Sequence, residues 1–169
     1  MPSTTNNPAT APRIDWASFD RLAPAIAPAL AALGKAVDDS GLDKPLTELM
    51  KIRASQLNGC AYCLQYHLNI ARRLAVDSRK VDLVATWRDA PVFDARERAA
   101  LAWTEALTLM PNAHVGDQVY ALVAEAFSAQ ELPFLTAAVA AINAWNRIAG
   151  ALRFAPPLAP VAPSTNGQG

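Results

Sequence analysis

The chain has 169 residues, 52% of them apolar and only 7% aromatic, and its 15 basic and 15 acidic side chains cancel. That length predicts one domain with a substantial core, and the balanced charge leaves no electrostatic footprint for nucleic acid or an anionic membrane surface. The longest purely apolar stretches fall far short of the roughly 20 residues a membrane-spanning helix needs. Alanine and leucine outweigh isoleucine and valine, which favours helix over sheet.

Residues 1–13 and 155–169 are predicted to be flexible tails, the second one Pro-rich, flanking a single helical domain over 14–154. Segment 15–37 carries Phe19, Leu22, Ile26, Leu30 and Leu33 at helical spacing, with Pro24 and Pro28 arguing against one straight helix. Gly41 ends it. Asp43-Lys44-Pro45 reads as a helix start, and Leu46, Leu49, Met50, Arg53 and Leu57 form one side of the helix that follows. Asn58-Gly59 breaks that helix. The next is predicted from about Cys60 to Leu74, with Leu64, Leu68, Ala71 and Ala75 as its apolar stripe.

Ser78 is expected to cap a short helix through Val81, Val84 and Trp87. Asp94-Ala95-Arg96-Glu97 reads as a capping box for a helix with Ala99, Ala102, Ala106 and Leu109, closed by Pro111-Asn112. A short helix over 117–127 precedes Ser128-Ala129-Gln130-Glu131, a second capping box. It opens a long helix through Leu135, Val139, Ile142 and beyond Trp145. The expected architecture is all-α, with six to eight helices.

The chemistry concentrates in one stretch. The only two cysteines, Cys60 and Cys63, stand two residues apart, and His67, one of two histidines, follows four residues later. At 100° per residue Cys60, Cys63 and His67 share a narrow stripe, and Cys63 and His67 are i,i+4 neighbours. The stripe borders the Leu64/Leu68/Ala71 face, so the thiols are expected at the edge of the core, partly shielded from water. A helix opening just after Asn58-Gly59 puts both thiols in its first turn. Unpaired N–H groups and the helix dipole there favour thiolate over thiol. His67 is a candidate proton acceptor, and Glu48 on the preceding helix can orient it if the two helices pack antiparallel. Such a pair can reduce a hydroperoxide: a thiolate attacks the outer oxygen, a sulfenic acid forms, the second thiol condenses to a disulfide, and an external dithiol reduces it.

The stretch from Glu48 through Arg53, Ser55, Asn58, Gly59, Cys60, Tyr62 and Cys63 to His67 resembles the core motif of the AhpD-like alkylhydroperoxidases of the carboxymuconolactone decarboxylase superfamily. Phe127-Ser128 to Leu132 and Ile142-Asn143 to Arg147 resemble the single-domain members of this group. The resemblance covers about residues 15–154. It implies an all-α fold, a homo-oligomer (commonly a trimer or hexamer) and an antioxidant peroxidase activity. It further implies that Cys63 attacks, that Cys60 is the resolving and more accessible thiol, and that Glu48 and His67 form the proton relay. No metal, haem or flavin is implied, and the reductant in the best-known members is a lipoylated protein. Those members carry a histidine where this chain has Tyr62, a residue shared by many single-domain relatives. The true decarboxylases generally lack the cysteine pair.

Other readings stand beside this one. A zinc site needs about four ligands, and Cys60, Cys63 and His67 supply three, with His114, expected on the surface, the remaining histidine. The protein could be a thiol redox sensor or an oligomeric scaffold without turnover, or a decarboxylase or isomerase acting on a small cyclic acid. Trp145, Asn143, Asn146 and Arg147 are read as residues that hold helices or subunits together. Lys51 and Arg53 are read as solvated or salt-bridged, and Trp16, Trp87 and Trp103 as core or interface. Met1 to Pro12 lacks the basic and apolar regions of a secretory signal. A cytoplasmic location is therefore expected, where a close cysteine pair is more often catalytic, redox-sensing or metal-binding than a structural staple.

Overall fold

A computed structural model of the protein describes residues 11–158. These form eight α-helices: α1 Trp16–Leu22, α2 Ile26–Asp39, α3 Lys44–Leu57, α4 Ala61–Arg73, α5 Ser78–Leu83, α6 Ala95–Thr108, α7 Asp117–Ala126 and α8 Glu131–Leu152. A short 3₁₀ turn, Val84–Thr86, follows α5. No strand occurs among the described residues, and no helix among them is long and apolar enough to cross a membrane. The expected all-α class is what the structure has.

The architecture is organised around α3. Asp43 caps it by accepting the Leu46 N–H at 3.0 Å, and Pro45 sits in the first turn, where no backbone donor is lost. From Leu46 to Met50 every side chain is buried, followed by Ile52, Ala54 and Ser55. The sequence suggested a one-sided apolar stripe; instead α3 is covered by α4, α6 and α8 and feeds three neighbouring clusters. Leu46 and Met50 join Val37, Trp103, Val123, Leu135 and Val139. Leu49 and Ile52 join Val84, Trp87, Phe93 and Leu101. Ala54 joins Phe19, Cys60, Cys63, Ile142, Ala149 and Phe154. Each fully buried Leu, Ile or Met contributes about 1.5–3 kcal/mol, so the polar side chains carried on this helix are fixed by their neighbours.

The helix boundaries follow their caps. The chain breaks at 23–25, around Pro24, while Pro28 lies in the first turn of α2, where its missing N–H is harmless. Asp77, not Ser78, caps α5 by accepting the Arg79 N–H at 3.0 Å. The Asp94–Glu97 capping box forms as expected. Ser128 and Glu131 exchange side-chain-to-backbone bonds at 2.8 and 3.3 Å one turn ahead of α8. Ala75 lies beyond α4 in the left-handed region at φ 53°, and is exposed instead of continuing the stripe.

The α1–α2 stripe departs most from expectation. Leu22, Ile26 and Leu33 are exposed, and Phe19 and Val37 are the side chains these two helices bury. Much of the expected tails lies outside the described residues. Of the remainder, Arg13 N–H donates to Leu152 O at 3.0 Å, and Asn69 Nδ2 donates to Pro157 O at 2.9 Å.

Candidate functional site

The Asn58-Gly59 break is a complete Schellman turn. Gly59 takes the left-handed conformation at φ 64°, its N–H donates to Gln56 O at 3.2 Å, and Cys60 N–H reaches back to Ser55 O at 3.0 Å. The chain leaves the turn with Cys60 as the N-cap of α4. Its sulfur occupies the place of a capping oxygen and accepts the Cys63 N–H at 3.5 Å. The cysteine spacing and the helix break are therefore one device: the turn ending α3 sets Cys60 at the mouth of α4 and Cys63 one turn in.

Both sulfurs are more deeply placed than the sequence suggested. Cys60 is 2% and Cys63 3% exposed, packed with Ile142 and Ala149 of α8. The implied order of accessibility does not hold. Cys63 lines a cavity of about 520 Å³, and Cys60 is not among the residues that line it. The two thiols share their ionisation. The hydrogen bond from Cys63 pulls Cys60 down to about 6 against the cost of burial, helped by the Cys63 backbone N–H and the Asn146 amide. The same contact and burial push Cys63 up, so the pair gives its first proton easily and its second with difficulty.

Glu48 and His67 meet across the α3–α4 contact. The carboxylate is fully buried, accepts from His67 Nδ1 at 2.6 Å and from Lys51 Nζ at 2.9 Å, and has Lys44 Nζ at 3.6 Å. Burial alone would raise its pKa, but the bonds and charges of His67 and Lys51 outweigh it and hold Glu48 down at about 2. Burial pushes His67 below its usual value, and the nearby Lys51 and Lys44 cations act in the same direction, outweighing the pull of Glu48. The resting arrangement is a carboxylate holding a neutral imidazole by its Nδ1–H. That leaves Nε2 without a protein hydrogen bond among the described residues. His67 and Cys63 line the same cavity.

All four residues singled out in the sequence converge: Cys60, Cys63 and His67 on or at α4, and Glu48 beside them on α3. His114, weighed as a fourth zinc ligand, lies exposed in the α6–α7 connection. The structure brings to the site residues that the sequence did not place there. Lys51, three residues after Glu48, is its second partner and also lines the cavity. Asn146 is buried against the thiol pair. An aromatic wall closes the outer side: Trp16 stacks on Tyr62 at 6.2 Å and tilts against Trp145 at 5.9 Å, and Tyr66 meets His67 edge-on at 5.3 Å. The i,i+3 spacing signals Lys51; nothing local signals that Trp16, some 45 residues upstream, would cover the site.

The sequence pattern of the carboxymuconolactone decarboxylase family matches residues 24–106, a span that holds the whole constellation. A Bacillus subtilis (strain 168) protein, YdfG, itself uncharacterized, is 31% identical over 80% of this chain and 92% of its own length. The chain belongs to this family. It is a family of enzymes, and this member is of the AhpD-like type. A crystal structure from Agrobacterium tumefaciens, of a protein of unknown function provisionally described as an antioxidant-defence AhpD, superposes with a TM-score of 0.82. It is 34% identical, and the match covers 88% of this chain and 100% of that one. The debrominase Bmp8 superposes with a TM-score of 0.69 at 27% identity, covering 76% of this chain and 69% of its own. A cysteine-to-alanine variant of that debrominase has been solved with 2,3,4-tribromopyrrole.

Proposed function

We propose that the protein is a thiol-dependent peroxidase that reduces small organic hydroperoxides or hydrogen peroxide. The observation that carries this reading is Cys63 in the cavity wall, with Cys60 hydrogen-bonded to it and the Glu48–His67 pair on the same wall. Neutral His67 accepts the first thiol proton at Nε2, and the Glu48 carboxylate steadies the imidazolium. The charge settles first on Cys60; the proton that Cys63 donates in their hydrogen bond then passes across to Cys60, and the Cys63 thiolate attacks the terminal oxygen of the hydroperoxide. An S–O bond forms, the O–O bond breaks, and the alkoxide leaves with the proton from His67 as an alcohol. Cys60 then gives its proton to His67 and attacks the Cys63 sulfenic acid. An S–S bond forms, and hydroxide leaves as water with that proton. An external dithiol reduces the disulfide by exchange, so each turnover consumes one dithiol and one hydroperoxide.

A lipoylated protein is the reductant class that the family resemblance implies. Exposed apolar side chains on α2 and α7, including Ile26, Leu33 and Leu122, support the trimer or hexamer expected from the same resemblance. The test is steady-state consumption of hydroperoxide with a lipoyl donor and with a generic dithiol. Many turnovers in the wild type and none in Cys63→Ser are expected. A single oxidation without turnover would make the protein a sensor instead.

A second reading has its own support. The aromatic wall of Trp16, Tyr62, Tyr66 and Trp145, with the similarity to a debrominase, favours a planar aromatic substrate. Two thiols could exchange a ring bromine for hydrogen, giving the disulfide and hydrogen bromide. Bromide release from a bromopyrrole under the same dithiol conditions, without peroxide consumption, would select this reading.

A further inference from the structure

Asn146 is a buried amide, 4% exposed, on α8. Ile142 and Ala149 precede and follow it by four and three residues, so all three lie on one helix face. Those two apolar neighbours pack directly on Cys60 and Cys63. The amide therefore faces the thiol pair for reasons of helix geometry alone. Its surroundings also fix which way round it sits. Asn58 Nδ2 donates to Asn146 Oδ1 at 2.8 Å, so the oxygen is turned toward the Schellman turn. Asn146 Nδ2 donates to Ser55 Oγ at 3.1 Å, and Ser55 spends its own hydroxyl proton on Lys51 O at 2.8 Å. That accounts for one of the two amide hydrogens. The other hydrogen lies beside the two sulfurs, which this face of α8 covers.

We propose that Asn146 donates its second amide N–H to the Cys60–Cys63 pair and stabilises the negative charge on whichever sulfur carries it, and that Asn58 acts through Asn146 by fixing which way that amide faces. The amide is not part of the cavity lining, so it can serve the charge without blocking substrate. It complements the Cys63 backbone N–H, which reaches Cys60 alone. A hydrogen bond to the charged form favours that form. The arrangement gives the Asn58-Gly59 sequence two roles: Gly59 turns the chain, and Asn58 orients the amide that serves the thiolate.

This deepens the thiol-peroxidase reading, yet its readout needs no peroxide, so the two can fail separately. The measurement is the pH titration of thiolate absorbance near 240 nm in the reduced protein, paired with the pH dependence of iodoacetamide alkylation. Asn146→Ala is expected to raise the midpoint of the first ionisation by about one unit, which cuts the thiolate fraction at pH 6 from about half to about a tenth. Asn58→Ala is expected to shift it in the same direction by less. Asn58 is exposed, so this variant keeps the test alive if Asn146→Ala does not fold. Thr136→Val, which removes the Trp103 Nε1 partner elsewhere on α8, is the control for a general loss of stability. A folded Asn146→Ala protein with the wild-type midpoint overturns the proposal. So does an unshifted Asn58→Ala protein if Asn146→Ala cannot be obtained, or a Thr136→Val shift as large as that of Asn146→Ala.

Discussion

Two glutamates are buried in this protein, and they do different things. Glu105 on α6 accepts from Arg53 Nε at 2.6 Å, from Trp87 Nε1 at 2.9 Å and from Arg88. Every partner is a donor that keeps its proton across the physiological range. Glu48 on α3 also has three nitrogen partners, but one is an imidazole with its second nitrogen free on a cavity wall. Both carboxylates are held below the ordinary range, each by its partners against the cost of burial. Burial and a depressed pKa are thus common to a carboxylate clamped by fixed cations and to the one proposed as half of a proton relay. What separates them is whether a partner can change its protonation state and whether that partner reaches open space.

The largest expected effect lies at the thiols the relay serves. Cys63→Ser should reduce peroxide turnover to background, while Cys60→Ser should consume about one hydroperoxide per chain and stop at the sulfenic acid, detectable by mass. The two glutamates then give a crossed test. Glu48→Gln should lower kcat/KM by on the order of 10²-fold or more, since the imidazolium loses its counter-charge. Glu105→Gln should leave kcat per folded molecule near wild type but cost about 2 kcal/mol in stability, because the partly buried Arg53 loses its charge partner. Denaturant melts and initial rates on the same preparations measure both. Equal losses of activity in the two variants would dissolve the distinction.

Acidity separates the functions further. Activity should rise with pH through about 6, where the thiol pair gives its first proton, and burial favours the neutral ring of His67. The stability that Glu48 contributes follows another window. Its folded pKa of about 2 lies below the usual 4.5, so the contribution is complete above 4.5 and is lost as pH falls toward 2. A protein that loses activity near pH 6 while its Glu48-linked stability persists to below pH 4.5 fits this account. Coincident loss of fold and activity does not.

The four chemical residues were legible because their spacing is local. Cys60, Cys63 and His67 sit on one helical stripe, and Asn58-Gly59 announces the turn that brings α3 back against α4. Capping residues likewise marked α3 and α6 correctly, since a cap is read within one turn. What was not legible depended on distant chain. The Leu22/Ile26/Leu33 stripe looked like a core face, but periodicity shows only that a face is apolar, not what covers it. The burial of α3 on all sides, and of Cys60 beneath α8, comes from packing partners some 50 to 100 residues away. Asn146 is the helix tie that it looked like, bonded to Ser55 and Asn58 at the end of α3, but its place beside the sulfurs could not be read because they lie some 80 residues away in the chain.

The smallest effect tests the finest part of the comparison, the role of Lys51. Around Glu105 the partners only hold the carboxylate. Lys51, whose side chain is 14% exposed, also sets the resting state of His67, because its positive charge opposes a second one on the ring. Removing it in Lys51→Met should let His67 take a proton more readily, raising the imidazole pKa. The acid limb of the pH–rate profile should move to higher pH, with little change in rate on the alkaline side. Arg88→Met is the matched change beside Glu105: it removes an exposed cation from a carboxylate with no titrating partner, and should leave the pH profile in place. An acid limb that stays put in Lys51→Met, or moves equally in both variants, would mean that the lysine merely anchors Glu48, and that the two buried carboxylates differ less than their partners suggest.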